Sequence, residues 1–362
     1  MRIVYIIRKG LQTYPPCLMN ILILKDLNID VFVIHGKNTK YINDILNQRK
    51  IQHIELKSDK GLSKNKIQSI YRYIYYIYEI NKIIAKYCNE VIWFGNETSL
   101  CGVSLKKLKK LTFVSSVLEL NDKNILIDSW LKKYLPLANI VCCPEKHRAQ
   151  IIKSRYNLIR TPYIIPNKPY ENKIQDEESA IEVNKKEISL LYQGVLDKDR
   201  PIFDFARALK VINDKRIVFY IMGNSDASYK KKIKSIYERT VFINYVPAPL
   251  HLSITKQCKI GVLLYDDSCL NNIFCAPNKV YEYSRFGLPM ISSDNIALLE
   301  TIGTGQAAEC INYRDISSVR CAIQKIINNY KYYSKKSFEF YKKQDNYEII
   351  KEIINLLENA SI

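Results

Sequence analysis

The chain has ten cysteines but no C-x-x-C pair and no regular spacing among them, so neither a disulfide framework nor a zinc site organises it. The adjacent Cys142 and Cys143, like the others, read as small buried hydrophobes of a reducing compartment. The four histidines (His35, His53, His147, His251) show no pairing at ligand spacing. There is no Walker A sequence and no G-x-G-x-x-G, which argues against a nucleoside triphosphatase or a typical dehydrogenase. No segment reaches the roughly 18 uncharged apolar residues that a bilayer span needs. The N-terminal MRIVYIIRKG is too brief for the apolar region of a secretion signal and lacks a small-residue cleavage site, so it reads as a first strand. Internal repeats and low-complexity segments are absent as well. The expectation is a cytoplasmic protein.

What is present bounds the architecture. With 362 residues, 47% hydrophobic and 25% charged, the chain can bury a large core, and its length suggests two domains. The formal charge is +19, yet Ile, Lys, Asn and Tyr crowd the whole sequence, so part of the Lys excess is compositional. Its distribution says more. Residues 1–165 hold 27 Lys+Arg against 12 Asp+Glu, whereas residues 166–362 hold 28 against 24. The positive field belongs to the first half.

Short apolar runs alternate with longer stretches of helical period, as a parallel sheet with crossover helices requires. Strands are expected at 2–7, 30–35, 90–94, 111–116 and 139–142, with helices at about 15–27, 64–87, 127–136 and 145–155. The acidic, proline-containing stretch 166–186 reads as a linker. Alternation restarts over 187–343, with strands at 188–193, 216–222, 240–243, 260–264, 289–292 and 307–311. Helices there are expected at about 201–210, 227–237, 277–286 and 316–329. A final amphipathic helix within 344–362 carries Ile349, Ile350, Ile353, Ile354 and Leu357 on one face.

Two segments carry chemistry. In APNKVYEYSRFGLP (276–289), Pro277 suits a helix start and Gly287 a helix end. Asn278, Lys279 and Glu282 then lie near one face, where a cation can meet a phosphate and a carboxylate can accept two ribose hydroxyls. A surface Lys–Glu pair is the plainer reading. In LLYQGVLDKDRP (190–201), Gly194 permits a sharp turn beside a ligand and Arg200 can reach a diphosphate; a loop with solvated charges is the alternative.

Together these segments resemble the nucleotide-sugar glycosyltransferases of the GT-B fold, particularly family 4 and its relatives that build bacterial polysaccharides. The resemblance covers most of the chain in layout. It implies an α/β fold of two Rossmann-like domains facing each other across a cleft, with a C-terminal helix. It places the donor diphosphate at Gly194 and Arg200, adds Gly223 of FYIMGNSD, and puts Tyr245 and Val246 of INYVP near the base. The block PNKVYEYSRFGLPMISSD supplies Asn278, Lys279 and Glu282, and Gly10 of the first loop approaches the cleft as a further donor-binding residue, an ordinary turn glycine being the alternative. Many members carry two Glu separated by seven residues; Phe274 stands where the first would be. The nucleotide-sugar is a substrate, and no cofactor is implied.

Glycosyl transfer needs a stabilised diphosphate leaving group and a route for the acceptor proton. Arg200 and Lys279 offer the first without a metal. Glu119, just after a strand in FVSSVLELND, is the candidate base, or else an exposed helix-start residue. Asp197 and Asp199 match a D-x-D metal motif but read better as a solvated turn. Asp266 and Asp267 follow the strand IGVLL and are candidates for the donor site. The helix near 65–87 carries Ile67, Ile70, Tyr71, Ile74, Ile77, Tyr78 and Ile84 at helical spacing, as a core helix would. Its basic flank, with Lys106, Lys107, Lys109 and Lys110, suits instead an anionic membrane surface. Acceptors of this class are often lipid-linked glycans, which implies a peripheral protein at the inner face of the cell membrane. Two rivals remain. A nucleotide-sugar epimerase shares the layout, and a basic nucleic-acid-binding protein would explain the charge, though Lys dominates and no recognised module is present.

Overall fold

A computed structural model describes residues 1–59, 66–170, 181–196, 200–224, 226–303 and 306–359. Apolar runs become strands because both of their faces are covered: every residue of Ile3–Ile6, Val91–Phe94 and Ile188–Gln193 is buried. Such continuous runs are the mark of parallel sheets flanked by helices. The chain divides into two compact units, Met1–Tyr170 with Asp345–Ile362, and Glu171–Gln344.

In the first unit the strands are β1 (Arg2–Ile6), β2 (Asp30–His35), β3 (Gln52–Glu55), β4 (Val91–Phe94), β5 (Phe113–Ser116), β6 (Ile140–Cys143) and β7 (Tyr163–Ile164). Among the described residues they form a parallel sheet in the order β3-β2-β1-β4-β5-β6-β7. The helices are α1 (Pro15–Asp26), α2 (Lys40–Gln48), α3 (Lys66–Lys86), α4 (Glu97–Leu100), α5 (Leu105–Leu108), α6 (Ile125–Tyr134) and α7 (Lys146–Arg155). Local chemistry sets their starts. Pro15 opens α1, Thr39 Oγ1 accepts from Ile42 N at 3.4 Å, and the Glu145 carboxylate accepts from Arg148 N at 2.9 Å. The final helix, Asn346–Asn359, belongs to this unit. It packs on α1 and buries Ile350, Ile353, Ile354 and Leu357 in the same core as Leu22 and Leu24, each side chain being worth about 1.5–3 kcal/mol.

The second unit contains β8 (Ile188–Gln193), β9 (Ile217–Met222), β10 (Thr240–Ile243), β11 (Ile260–Leu263), β12 (Met290–Ser293) and β13 (Ala308–Ile311), parallel in the order β10-β9-β8-β11-β12-β13. Its helices are α8 (Ile202–Ile212), α9 (Ala227–Ile236), α10 (Leu252–Thr255), α11 (Leu270–Ile273), α12 (Asn278–Ser284), α13 (Ile296–Leu298), α14 (Ile316–Asn328) and α15 (Tyr330–Lys343).

In both sheets the unit's first strand is central, and strand order reverses on either side of it. The carboxyl ends of β1 and β4, and of β8 and β11, therefore flank a crevice of the kind in which open α/β sheets bind ligands. Beyond the sequence reading lie the exposed edge strand β3, the two-residue strand β7, helix α2, the short helices α4, α5, α10, α11 and α13, and α15. The last buries Tyr333, Ser337 and Tyr341, four residues apart, a face too polar to register as apolar periodicity. Residues 171–180 of the expected linker lie outside the described residues.

Candidate functional site

The crevice of the second sheet gathers cations. Gly194 follows β8 with φ +133°, and Gly223 follows β9 with φ +152°, conformations that side-chain-bearing residues rarely adopt. A Cβ on Gly223 would lie 2.0 Å from the Gly194 carbonyl oxygen, and one on Gly194 would lie 2.7 Å from Lys279 Cε. The two glycines thus let backbone and lysine pack closely. Lys279 Nζ is 3.5 Å from the Tyr265 hydroxyl, and the Arg200 guanidinium carbon sits 4.2 Å from the Tyr265 ring centroid. Tyr265 therefore brings together two cations from distant parts of the chain in a cation–π arrangement. Arg200 Nη1 donates to Asn272 Oδ1 at 3.1 Å, and Asn272 Nδ2 donates to Asp266 Oδ1 at 2.6 Å. Asp266 is thereby part of the frame that aims Arg200, whereas Asp267 is exposed, 4.0 Å from Arg314.

Glu282 is not a surface residue. It is 8% exposed, accepts a hydrogen bond from the Gln193 amide, and lies 3.5 Å from His251 Nε2. Burial pushes its carboxyl up, but His251, Lys279 and Gln193 outweigh burial and hold it below the ordinary glutamate value. Thr255 Oγ1 fixes Gln193 by donating to its Oε1 at 2.9 Å. Nδ1 of His251 is buried and has no partner among the described residues. The result is a buried, ionised carboxylate next to the cationic pair. Asn278 is half-buried at the start of α12, which is shorter than the ten-residue expectation. Tyr245 is exposed, and Val246 packs against the core of this unit. Asp197 and Asp199 lie outside the described residues. Among those described, no group of three or more His, Cys, Asp or Glu could hold a metal ion.

The crevice of the first sheet is built differently. Gly10 follows β1, where a Cβ would collide with the Lys37 carbonyl oxygen at 2.2 Å. Leu11 N beside it donates to Asn38 Oδ1 at 2.9 Å. After β4 comes Glu97, 4% exposed, whose carboxylate accepts from Leu118 N at 3.1 Å. Burial, and secondarily Glu119, push its carboxyl up to about 7, against the Leu118 amide and Arg148, which lower it. Arg148 also donates to the Leu118 carbonyl and stands 3.7 Å from Glu119, whose side chain is 55% exposed. Glu97 and Arg148 together grip the peptide that presents Glu119.

Sequence reasoning passed over Gln193, His251, Tyr265 and Glu97. Glu97 had a signal, because VIWFGNE repeats the strand–Gly–Asn pattern of FYIMGNS at Gly223. The histidines also pair after all. His35 Nε2 lies 2.9 Å from His53 Nδ1, a contact between adjacent strands that chain spacing does not reveal. Of the four lysines, Lys106, Lys109 and Lys110 are exposed, while Lys107 Nζ bonds to the Asn81 carbonyl and anchors α5 to α3. All ten cysteines are free, and six are buried.

Neither a protein-family model nor a curated protein matches the sequence. Solved structures do match, over nearly the whole chain. Sucrose-phosphate synthase from Thermosynechococcus elongatus superposes with a TM-score of 0.71 at 14% identity, covering 99% of both chains. Anabaena HepE, solved with UDP and glucose, gives 0.70 at 10% identity, covering 99% of this chain and 100% of its own. The chain has the GT-B fold. A UDP-N-acetylglucosamine 2-epimerase of Listeria monocytogenes, so described provisionally, shares it at a TM-score of 0.64 and 12% identity, covering 99% of this chain and 96% of its own. In GT-B terms the cationic crevice lies in the C-terminal Rossmann-like domain, and the crevice of Gly10, Glu97 and Glu119 in the N-terminal one.

Proposed function

We propose that the protein is a glycosyltransferase that takes a sugar from a nucleotide-sugar donor and passes it to a glycan acceptor. The donor is held by Gly194, Gly223, Arg200, Lys279 and Glu282, with Asn278, Tyr245 and Val246 around the nucleoside and Gly10 approaching it from the N-terminal unit, which binds the acceptor. The observation that carries this reading is the pair of cations held against Tyr265 beside a buried, ionised Glu282. A diphosphate pairs with the cations, and a carboxylate accepts both ribose hydroxyls.

When the acceptor oxygen bonds to the anomeric carbon, the diphosphate departs with the electron pair of the broken bond. Arg200 and Lys279 stabilise that charge without a metal. Glu119 takes the acceptor's proton. The acceptor is a lipid-linked glycan of surface polysaccharide assembly, and the enzyme works peripherally at the inner face of the membrane.

The test is a thermal-shift screen across UDP, GDP, CMP and dTDP sugars, since a ligand that prefers the folded state raises Tm. At least one family should stabilise the protein, and Glu282→Ala should abolish that shift, at a lower apo Tm because it strips Gln193 and His251 of a buried partner. No shift with any nucleotide would sink the proposal. The epimerase likeness keeps one alternative in view. Conversion of a UDP-sugar to its epimer with no acceptor present would favour that alternative.

A further inference from the structure

Helix α3 is apolar on two opposite faces. One face carries Tyr76, Ile80 and Ile84 into the core. The other carries Ile67, Ile70, Tyr71, Ile74 and Tyr78, which are 60–79% exposed. Their spacing of three and four residues makes a single stripe down the outside of the helix. Of the two sequence readings of this helix, core packing holds for Ile84 but not for Ile67, Ile70, Tyr71, Ile74 and Tyr78, which point away from the core.

Exposed apolar side chains also stand at the start of α6, whose Trp130 stacks at 5.9 Å between ring centroids on Tyr73, a residue on the core-side flank of α3 that also stacks on Tyr76. Leu126 lies one turn before Trp130, and it and Ile125 are about four-fifths exposed, at 78% and 80%. Monomeric proteins seldom leave a stripe of five large apolar side chains such as that of α3 in water.

Charge tells what covers the stripe. Lys82 and Lys86, both exposed, prolong the line of Tyr78 by one and two turns. Asn81 ties α5 to the same helix: its Nδ2 donates to the Gly102 carbonyl at 2.8 Å, its Oδ1 accepts from Ser104 N at 2.9 Å, and its carbonyl accepts from Lys107. Lys106, Lys109 and Lys110 are thereby fixed beside α3. An apolar stripe with tyrosines along it and lysines at its end matches an anionic bilayer, whose acyl chains take the first and whose headgroups take the last.

We infer that the outer face of α3, with the start of α6, inserts into an anionic phospholipid bilayer, and that the lysines of α5 only orient it there. This deepens the reading of a membrane-borne acceptor but rests on separate observations, so the two can fail separately.

The experiment uses the full chain with phosphatidylcholine vesicles, with and without phosphatidylglycerol, at low and high salt. Insertion predicts co-sedimentation with the anionic vesicles that persists in part at high salt, because salt screens charge and not apolar burial. It also predicts a blue shift of Trp130 emission, Trp93 being already buried. Ile70→Asn with Ile74→Asn should reduce high-salt binding roughly tenfold or more, because two apolar side chains no longer leave water on insertion. Leu126→Asn should act in the same direction. Lys106→Glu with Lys109→Glu and Lys110→Glu should weaken only the low-salt binding. All variants should keep the parent's Tm and its nucleotide-induced shift.

Binding that vanishes at high salt, or that the Ile variant leaves unchanged, overturns the inference. So does a dimer in solution that the Ile variant dissociates while vesicle binding stays absent, which would assign the stripe to a second copy. Vesicle binding as expected without sugar transfer to any acceptor would instead defeat only the transferase reading.

Discussion

The two crevices are alike in backbone and differ in the charged groups they present. Each lies at the carboxyl ends of a central strand and its neighbour across the reversal of strand order, and each is edged by a glycine where a Cβ would collide. Yet the more basic half of the chain presents the half-exposed carboxylate of Glu119 in its crevice, with Glu97 buried behind it, and the less basic half presents the cations Arg200 and Lys279. Net charge thus says little about a site. The lysines of the first half lie largely on outer surfaces, such as the exposed ends of α3 and α5, where solvent screens them; a few charges against aromatic rings or in a buried setting act far more strongly.

The sharpest way to break the comparison is to remove a cation from the second crevice. Lys279→Ala should lower turnover on the order of 10²–10³-fold, the usual cost of losing one preorganised charge-stabilising group. Fold and Tm should hold. EDTA should leave the parent's turnover unchanged; complete loss with EDTA, restored by manganese or magnesium, would revive the metal reading of Asp197 and Asp199 and remove Lys279 from its role.

The first crevice should reveal itself through pH. Because the folded pKa of Glu97 is raised to about 7, its neutral form is favoured, so stability is fully present below the ordinary glutamate value and is lost as pH rises through about 7. Glu97→Gln removes the ionisation. Melts at pH 5 and pH 8.5 should show little difference at the lower pH and a gain of up to roughly 3 kcal/mol for the variant at the higher. An equal effect at both would mean that Glu97 is not held neutral by burial.

The smallest effect sharpens the glycine side of the comparison. Gly194→Ala should cost roughly 1–3 kcal/mol, from a positive φ and the contact with Lys279. It should weaken nucleotide binding at the same time, because Lys279 must move. Gly10→Ala is crowded by the Lys37 carbonyl but has an ordinary φ of −62° and no contact with Lys279, so it should destabilise while weakening nucleotide binding less than Gly194→Ala does. Equal loss of affinity in both variants would show that the positive φ and the Lys279 contact add nothing to donor binding.

Much of the fold was legible because its signals are local. The strands at 30–35, 188–193 and 240–243 lie where apolar runs end at turn residues, and Pro15 marks a helix start by its own geometry. The edge strand β3 was not legible, since Gln52, Ile54 and Glu55 are exposed and no alternation marks it. The PNK block and the two glycines after strands pointed to the second crevice for the same local reason: a positive φ or a missing donor is written at one position.

By itself the sequence determined the α/β alternation, the two-unit scale, and the positions where only glycine relieves strain, since each depends on residues a few positions apart. Only the tertiary structure decided which charges meet. Tyr265 joins Arg200 to Lys279, His251 reaches Glu282, and Glu97 is sealed behind the Leu118 peptide, all across separations set by crossover connections. It also decided that the final helix packs on α1, and that α3 turns one apolar face to the core and the other to solvent. The physical reason is the same in each case. A side chain's period shows that it has a preferred face, but what lies against that face depends on the packing of every intervening element.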